Sequence, residues 1–272
     1  FELEGLRVSL CQRHRQTELV KGVSFSVSPG QWLGILGESG SGKSMSIKAA
    51  MGLLDKGFFV SGSARFQGEE LLGKSAEELR RLRGGKVGMI LQNPMTCFDP
   101  LYRVGAQISE TFAAHTSLNA AQIRQRSMEM LKTMRIRHRE EVLEKYPHQL
   151  SGGMLQRFMT GIPAAMEPAL LIADEPTTAI DAITQAEILD ELIRIKRENQ
   201  TAMVFITHDL NAVSRIADEI VVLNQGQVVD RGDFHHILHH AADPYTRLLV
   251  EKRAAVMRRY RSVLEGKEAD HA

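Results

Sequence analysis

Two rhythms of apolar and polar residues run along this chain. Val23-Ser24-Phe25-Ser26-Val27 alternates residue by residue, as a half-buried strand does. With residues 2–10 it predicts a pair of strands, 2–10 and 19–28, around a polar loop from Gln12 to Thr17; Pro29-Gly30 then turns the chain. Short unbroken apolar runs at 32–36, 170–173 and 203–206 predict strands, and Lys86 to Leu91, apolar after its lysine, predicts another that ends at Gln92. Helical spacing fills much of the rest, over 44–54, 104–115, 120–134, 140–145, 184–198 and 210–217. A shorter helix over 75–82 opens with Ser75 as N-cap and Glu78 at the capping-box position. Residues 63–66 predict a strand before a turn at Gln67-Gly68, and 219–223 with 227–230 predict a hairpin about Gln225-Gly226.

Residues 93–150 carry no strand signal. Pro94 and Pro100 bracket an irregular segment and helices follow, so this stretch reads as an insertion. The β/α alternation on either side predicts an α/β fold. It has a mostly parallel core sheet, an antiparallel β subdomain and an inserted helical subdomain. The expected division is 1–92 (core with antiparallel subdomain), 93–160 (helical subdomain), 161–241 (rest of the core) and 242–272 (a C-terminal extension).

The first candidate chemistry lies just after the apolar run at 32–36. Gly37, Glu38, Ser39, Gly40, Ser41, Gly42, Lys43 and Ser44 read G-x-x-x-x-G-K-S, the P-loop pattern, between a strand and a helix. Glycines let successive backbone N–H groups turn inward, and with the positive end of the helix they hold a phosphate chain. Lys43 would reach the β- and γ-phosphates of a nucleoside triphosphate, and the Ser44 hydroxyl would ligate Mg²⁺. Glu38 is unusual in an anion site; its side chain can face solvent, because the site needs only its N–H.

Composition narrows the setting. At 272 residues the chain predicts one large domain with an insertion, or two domains, and 43% hydrophobic content suits a soluble globular protein with a sizeable core. A net charge of +1 argues against nucleic acid as partner. Cys11 and Cys97, the only cysteines, make neither a disulfide framework nor a zinc or iron–sulfur site, and fit a reducing cytosol. No apolar run approaches the length of a membrane span. Phe1-Glu2-Leu3-Glu4 lacks the features of a signal peptide, and the missing Met implies trimming at the start. A membrane role would be peripheral.

A second element sits at the end of the run 170–173, where Asp174 and Glu175 follow buried apolar residues. An aspartate there can hold Mg²⁺ on a P-loop nucleotide, and Glu175 can polarise an attacking water as general base. The plain alternative is a strand end with a helix cap. Leu150-Ser151-Gly152-Gly153-Met154-Leu155-Gln156 is more specific: it resembles the signature of ABC ATPases, normally L-S-G-G-Q. In the order that family requires, Gln92 resembles the Q-loop glutamine, Asp174 and Glu175 the Walker B pair, Ala179-Ile180-Asp181 the D-loop, and His208 the switch histidine. The resemblance spans roughly residues 2–250.

The family resemblance implies a head-to-tail dimer of ATPase domains, with ATP held between one P-loop and the other subunit's signature. Ser151, Gly152 and Gly153 would then cap the γ-phosphate across the interface, beyond starting a helix. Gln92 would sense Mg²⁺ and the attacking water, and His208 would hold the γ-phosphate and that water. The implied metal ligands are Ser44, Gln92 and Asp174; the implied catalytic groups are Glu175, His208 and Gln92; Asp181 joins the nucleotide contacts.

Three further segments resemble the oligopeptide, dipeptide and nickel importers: Gln92-Asn93-Pro94-Met95-Thr96-Cys97-Phe98-Asp99-Pro100, Tyr146-Pro147-His148-Gln149-Leu150-Ser151 and Asp243-Pro244-Tyr245-Thr246-Arg247-Leu248-Leu249. That branch implies a second, non-identical ATPase subunit, two membrane permeases, an extracytoplasmic binding protein, and a place on the cytoplasmic face of the inner membrane. Departures tilt the cargo toward nickel or a metal chelate. Leu10 or Cys11 stands where an adenine-stacking aromatic is usual, no cysteine follows Cys97, and Met154-Leu155 replaces the usual Gln-x. A dipeptide or oligopeptide importer is the alternative, and a soluble non-transport ABC ATPase a distant one. Pro163 should kink the helix after the signature. His235/His239 and His236/His240 have i, i+4 spacing but no third ligand pattern, which favours a solvated helix face over a metal site. Lys252, Arg253, Arg258, Arg259 and Arg261 mark a charged C-terminal helix fading into a tail.

Overall fold

The computed structural model describes residues 1–12, 15–178, 180–198 and 200–252. The chain opens with β1 (Glu2–Gln12), β2 (Arg15–Ser26), β3 (Trp32–Leu36) and α1 (Lys43–Ala50), then β4 (Phe58–Phe66), β5 (Glu69–Glu70), α2 (Ala76–Leu82) and β6 (Val87–Ile90). Four helices follow without a strand: α3 (Val104–His115), α4 (Ala120–Thr133), α5 (Arg139–Leu143) and α6 (Gly152–Ala165). The alternation resumes with β7 (Leu170–Asp174), α7 (Ala182–Glu198), β8 (Ala202–Thr207), α8 (Leu210–Ile216), β9 (Glu219–Asn224), β10 (Gln227–Gly232) and α9 (Phe234–His239).

Two sheets result. One is antiparallel, in the order β2-β1-β4-β5; the other is β10-β9-β3-β8-β7-β6, parallel from β9 to β6 and closed by the antiparallel β10. Every residue of β3, β7 and β8 is buried, which explains their unbroken apolar runs. A Cβ on Gly34 would stand 2.1 Å from Val213 Cγ2, so α8 lies directly on β3. Phe112, Leu131 and Phe158 anchor the core of the helical region, and Phe98 meets Phe158 edge-on at 6.4 Å.

Several boundaries move. The loop expected over residues 12–17 is taken up by β1 and β2, which pair as far as Gln12 and Arg15; residues 13 and 14 lie outside the described ones. Polar side chains do not stop a ladder whose faces are solvated. Helix α1 ends at Ala50 rather than 54, because Gly52 takes a left-handed φ of 64°. Strand β4 starts at Phe58; Gly62, at φ 99° and with a Cβ position 2.5 Å from the Gly5 carbonyl oxygen, hides the strand's rhythm behind a bulge-like contact. Pro163 falls in the last turn of α6, which continues through it. Its ring packs on β6, where a Cβ on Gly88 would lie 3.1 Å from Pro163 Cβ. The expected boundary at 160 cuts α6, so the helices of this region run on to Ala165. Arg253, Arg258, Arg259 and Arg261 lie outside the described residues.

Candidate nucleotide site at the sheet edge

Strands β3, β8 and β7 are neighbours and parallel, with Leu36 opposite Thr207 and Asp174 opposite Ile206. Their C-terminal ends therefore lie side by side. The loop after β3 carries residues 37–44, β7 ends in Asp174-Glu175, and β8 leads into His208. Three distant motifs meet on one edge.

The loop is built for close approach. A Cβ on Gly37 would sit 2.3 Å from the Leu223 carbonyl oxygen, and Gly40 and Gly42 have φ of 81° and 101°. Gly42 opens α1 without a side-chain cap, so the first-turn N–H groups have no capping side chain over them. Ser39 and Gly40 are exposed, whereas Ser41 is buried and ties the loop to β10's turn by accepting the Gly226 N–H at its carbonyl, 2.9 Å. Lys43 is buried. Its ammonium donates to the carbonyl oxygens of Gly37 (2.7 Å) and Glu38 (2.8 Å) and lies 3.4 Å from Ser41 Oγ. Burial pushes its pKa down, and the charges of Glu175, Asp174 and Glu38 pull the other way.

Ser44 Oγ donates to Asp174 Oδ1 at 2.6 Å. Asp174 is buried, and burial pushes its carboxyl pKa up against the Ser44 hydrogen bond and Lys48. A hydroxyl and a desolvated carboxylate this close form a pair of hard oxygen donors, which fits Mg²⁺. Glu175 follows at φ 48°, its N–H donating to the Ile206 carbonyl at 2.9 Å. Its Oε2 accepts from Thr178 Oγ1 (2.7 Å) and lies 3.2 Å from Nδ1 of the exposed His208. Carboxylate and imidazole are thus in hydrogen-bond contact, an arrangement able to orient and deprotonate a water.

Other expected residues stand apart. Gln92 is exposed two positions past β6, one strand beyond β7. Ser151 Oγ accepts the Met154 N–H at 3.3 Å as N-cap of α6; Gly152 is exposed and a Cβ on Gly153 would meet Thr184 at 3.3 Å. Among the described residues these three share no hydrogen bond with residues 37–44. Asp181, expected among the nucleotide contacts, has its carboxylate engaged by α7's first turn: the N–H groups of Ile183 and Thr184 and the Thr184 hydroxyl. These bonds hold its carboxyl below the usual range, the Thr184 N–H first among them. Ala179 lies outside the described residues. Glu38 needs a correction. Its side chain is exposed as expected, but its N–H is not offered to a phosphate; it donates to the Tyr245 hydroxyl at 2.7 Å.

Sequence reasoning missed the contacts of Thr178 and Tyr245. A threonine three residues after a candidate base was the available signal for the first; the family-like segment 243–249 flagged the second without indicating what its hydroxyl meets. Leu10 and Cys11 pair with Thr17 and Gln16 near the end of the β1–β2 hairpin. The i, i+4 pairs His235/His239 and His236/His240 have ring centroids 4.8 and 6.1 Å apart, yet among the described residues no group of three or more His, Cys, Asp or Glu side chains is placed to hold a metal.

Residues 20–178 match the family model described as ABC transporter. The metal-staphylopine import system ATP-binding protein CntD of Staphylococcus aureus (strain NCTC 8325 / PS 47) is 39% identical over 248 residues, covering 91% of this chain and 92% of that protein. The dipeptide transport ATP-binding protein DppD of Escherichia coli (strain K12) is 45% identical over 229 residues, 84% of this chain and 70% of that protein. Among solved structures, cbiO1 from Clostridium perfringens, part of the ABC transporter complex cbiONQ, superposes with a TM-score of 0.72 at 25% identity, over 97% of this chain and 98% of that one.

Proposed function

Because the chain belongs to the ABC transporter family, we propose that it hydrolyses ATP to drive an importer whose cargo is nickel or a related metal or metal chelate. The observation that carries the catalytic half is the single edge holding Lys43, Ser44, Asp174, Glu175 and His208. Lys43 neutralises the phosphates and the uncapped start of α1 holds them. Ser44 and Asp174 would hold Mg²⁺, which would supply charge neutralisation on the phosphates. Glu175 takes the proton of the attacking water, and His208 orients that water and the γ-phosphate. Gln92 joins when the helical region moves toward β7. Ser151, Gly152 and Gly153 complete the γ-phosphate face of a partner subunit's site, since within this chain they begin a separate helix.

Among the described residues no helix is long and apolar enough to cross a membrane. The permease partners are inferred from the relatives, which are ATP-binding proteins of import systems. Leu91 is exposed at the rim of a cavity that also reaches Met89, Phe98, Met159 and Pro163, and Met95, Leu101 and Tyr102 are exposed in the segment that follows β6; these apolar side chains support a permease contact. The remaining partners are a non-identical ATPase subunit and an extracytoplasmic binding protein. The metal-chelate cargo rests on the match to the staphylopine relative, over 91% of this chain and 92% of that protein. Dipeptide uptake is the second reading, favoured by the higher identity to the dipeptide relative.

The test is purification from detergent extracts followed by ATPase and uptake assays. Co-purification of two multi-span proteins, with Glu175→Gln retaining MgATP binding but lowering kcat by about 10²- to 10⁴-fold, supports the motor. Near-normal turnover in Glu175→Gln removes it as the base. Uptake of labelled nickel against labelled dipeptide decides the cargo.

A further inference from the structure

Past α9, the chain returns to the edge of the core sheet. Asp230, buried on β10, accepts the N–H groups of Ala242 and Asp243 at its two carboxylate oxygens, 3.1 Å each. Asp243 Oδ1 then accepts the Tyr245 N–H at 2.8 Å, and the Tyr245 ring packs with Leu249 and Val250 against the buried cluster of Leu36, Val222 and Ile237. The strap so anchored delivers the Tyr245 hydroxyl to the Glu38 N–H at 2.7 Å. Lys252 adds an exposed ion pair to the Glu38 carboxylate, 3.1 Å.

The Glu38 N–H belongs to the same peptide group as the Gly37 carbonyl. No described peptide bond is cis, and in a trans peptide the two groups point in opposite directions. The Gly37 carbonyl takes the Lys43 ammonium at 2.7 Å on one side, and Tyr245 takes the N–H on the other. The peptide plane is clamped from both sides, and turning it would break both bonds together. Lys43 has a second carbonyl, that of Glu38, on the next peptide. The ammonium's position therefore depends on two consecutive peptide planes, one of which the C-terminal strap holds.

We propose that Tyr245 is a positioning residue for ATP binding, acting through the Gly37–Glu38 peptide to hold Lys43 where it meets the phosphates. The inference rests on the ATPase reading above and goes beyond it by assigning the C-terminal strap a part in the nucleotide site. Tyr245→Phe keeps the packed ring and removes only the acceptor. Losing one hydrogen bond of ordinary strength corresponds to about 3- to 12-fold in affinity.

The test titrates the full chain with MgATP by calorimetry and assays the assembled complex. In Tyr245→Phe, Kd and KM for MgATP rise about 3- to 12-fold, kcat at saturation stays within about twofold, and the ligand-free melting temperature falls by no more than about 2–4 °C, the loss of one hydrogen bond. Lys252→Ala, losing only an exposed ion pair, shifts Kd less than about threefold. Amide hydrogen exchange gives a second measurement: the Glu38 amide is protected in the unaltered chain and exchanges faster in Tyr245→Phe. Unchanged affinity in Tyr245→Phe, or a fast-exchanging Glu38 amide in the unaltered chain, overturns the inference alone. Failure of the unaltered chain to bind MgATP overturns the ATPase reading and the inference with it.

Discussion

Replacing Asp174 with asparagine should make the ligand-free protein more stable while disabling it. Asp174 is 5% exposed, and burial pushes its pKa above the ordinary aspartate value. A folded pKa above the unfolded one means that the folded state takes up the proton more readily. The associated stability is fully present below the unfolded pKa and is lost as pH rises through the folded one. At neutral pH the ionised carboxylate is therefore a net cost to the fold. Asn keeps an acceptor for the Ser44 hydroxyl, now 2.6 Å from Oδ1, and removes the charge. Relieving such a functional-site cost is commonly worth about 0.5–2 kcal/mol. The new amide N–H groups, poorly partnered, offset part of it, leaving about 1 kcal/mol, or about 2–4 °C in Tm for a chain of this size. Thermal melts of the ligand-free protein, followed by circular dichroism, measure it at pH 7 and below about pH 4, where both side chains are neutral. The gain should appear at pH 7 and vanish in acid, and the extra stabilisation by Mg²⁺ with ATP should be lost. A variant that melts at or below the parent at pH 7 would refute the electrostatic reasoning.

Ser75→Ala removes the N-cap of α2 and its capping box with Glu78; melting should show a loss of about 1 kcal/mol with MgATP affinity unchanged. Gly34→Ala drives a Cβ to 2.1 Å from Val213 Cγ2, and urea unfolding should show about 1–3 kcal/mol lost to overpacking. Lys43→Met strips the Gly37 and Glu38 carbonyls of their donor, so unlike Asp174→Asn it should lower ligand-free stability, by about 1–3 kcal/mol. Because burial lowers the Lys43 pKa, the parent should gain stability as pH rises from the folded value toward 10.5, an increment absent from Lys43→Met in paired melting curves.

How much of this was legible in the sequence depended on where each partner lay. The strand at 32–36 and the helix at 104–115 match residue for residue, because full burial or clean helical spacing marks both. The Ser75 capping box was legible because both members lie within one turn. Residues 37–44, Asp174, Glu175 and His208 were legible as motifs, and the edge that gathers them follows from parallel strand order. The start of β4 was not, since Gly62 interrupts its rhythm with a conformation no pattern of hydrophobicity records. The Glu38 N–H was misread because its acceptor lies 207 residues away. Asp181 carries a second, local role that its sequence also shows: Asp ahead of a helix with Thr at the third position reads as an N-cap, and its carboxylate takes the Thr184 N–H.

Glu175 shows why the candidate base depends on the sheet rather than on its own surroundings. A glutamate at φ 48° is in the left-handed region, which costs a non-glycine residue about 1–3 kcal/mol. That conformation persists only where neighbours over-determine it. Its N–H extends the β7–β8 ladder one step past the strand, to the Ile206 carbonyl, and its carbonyl accepts the Thr178 N–H at 3.2 Å. Its carboxylate is fixed by Thr178 Oγ1 and faces His208, which itself follows β8 directly. Both ends of the Glu175–His208 contact are therefore hung from the same pair of strands. The interval between base and histidine is set by parallel pairing, and a shift in the β7–β8 register would separate them even with every side chain of the site intact.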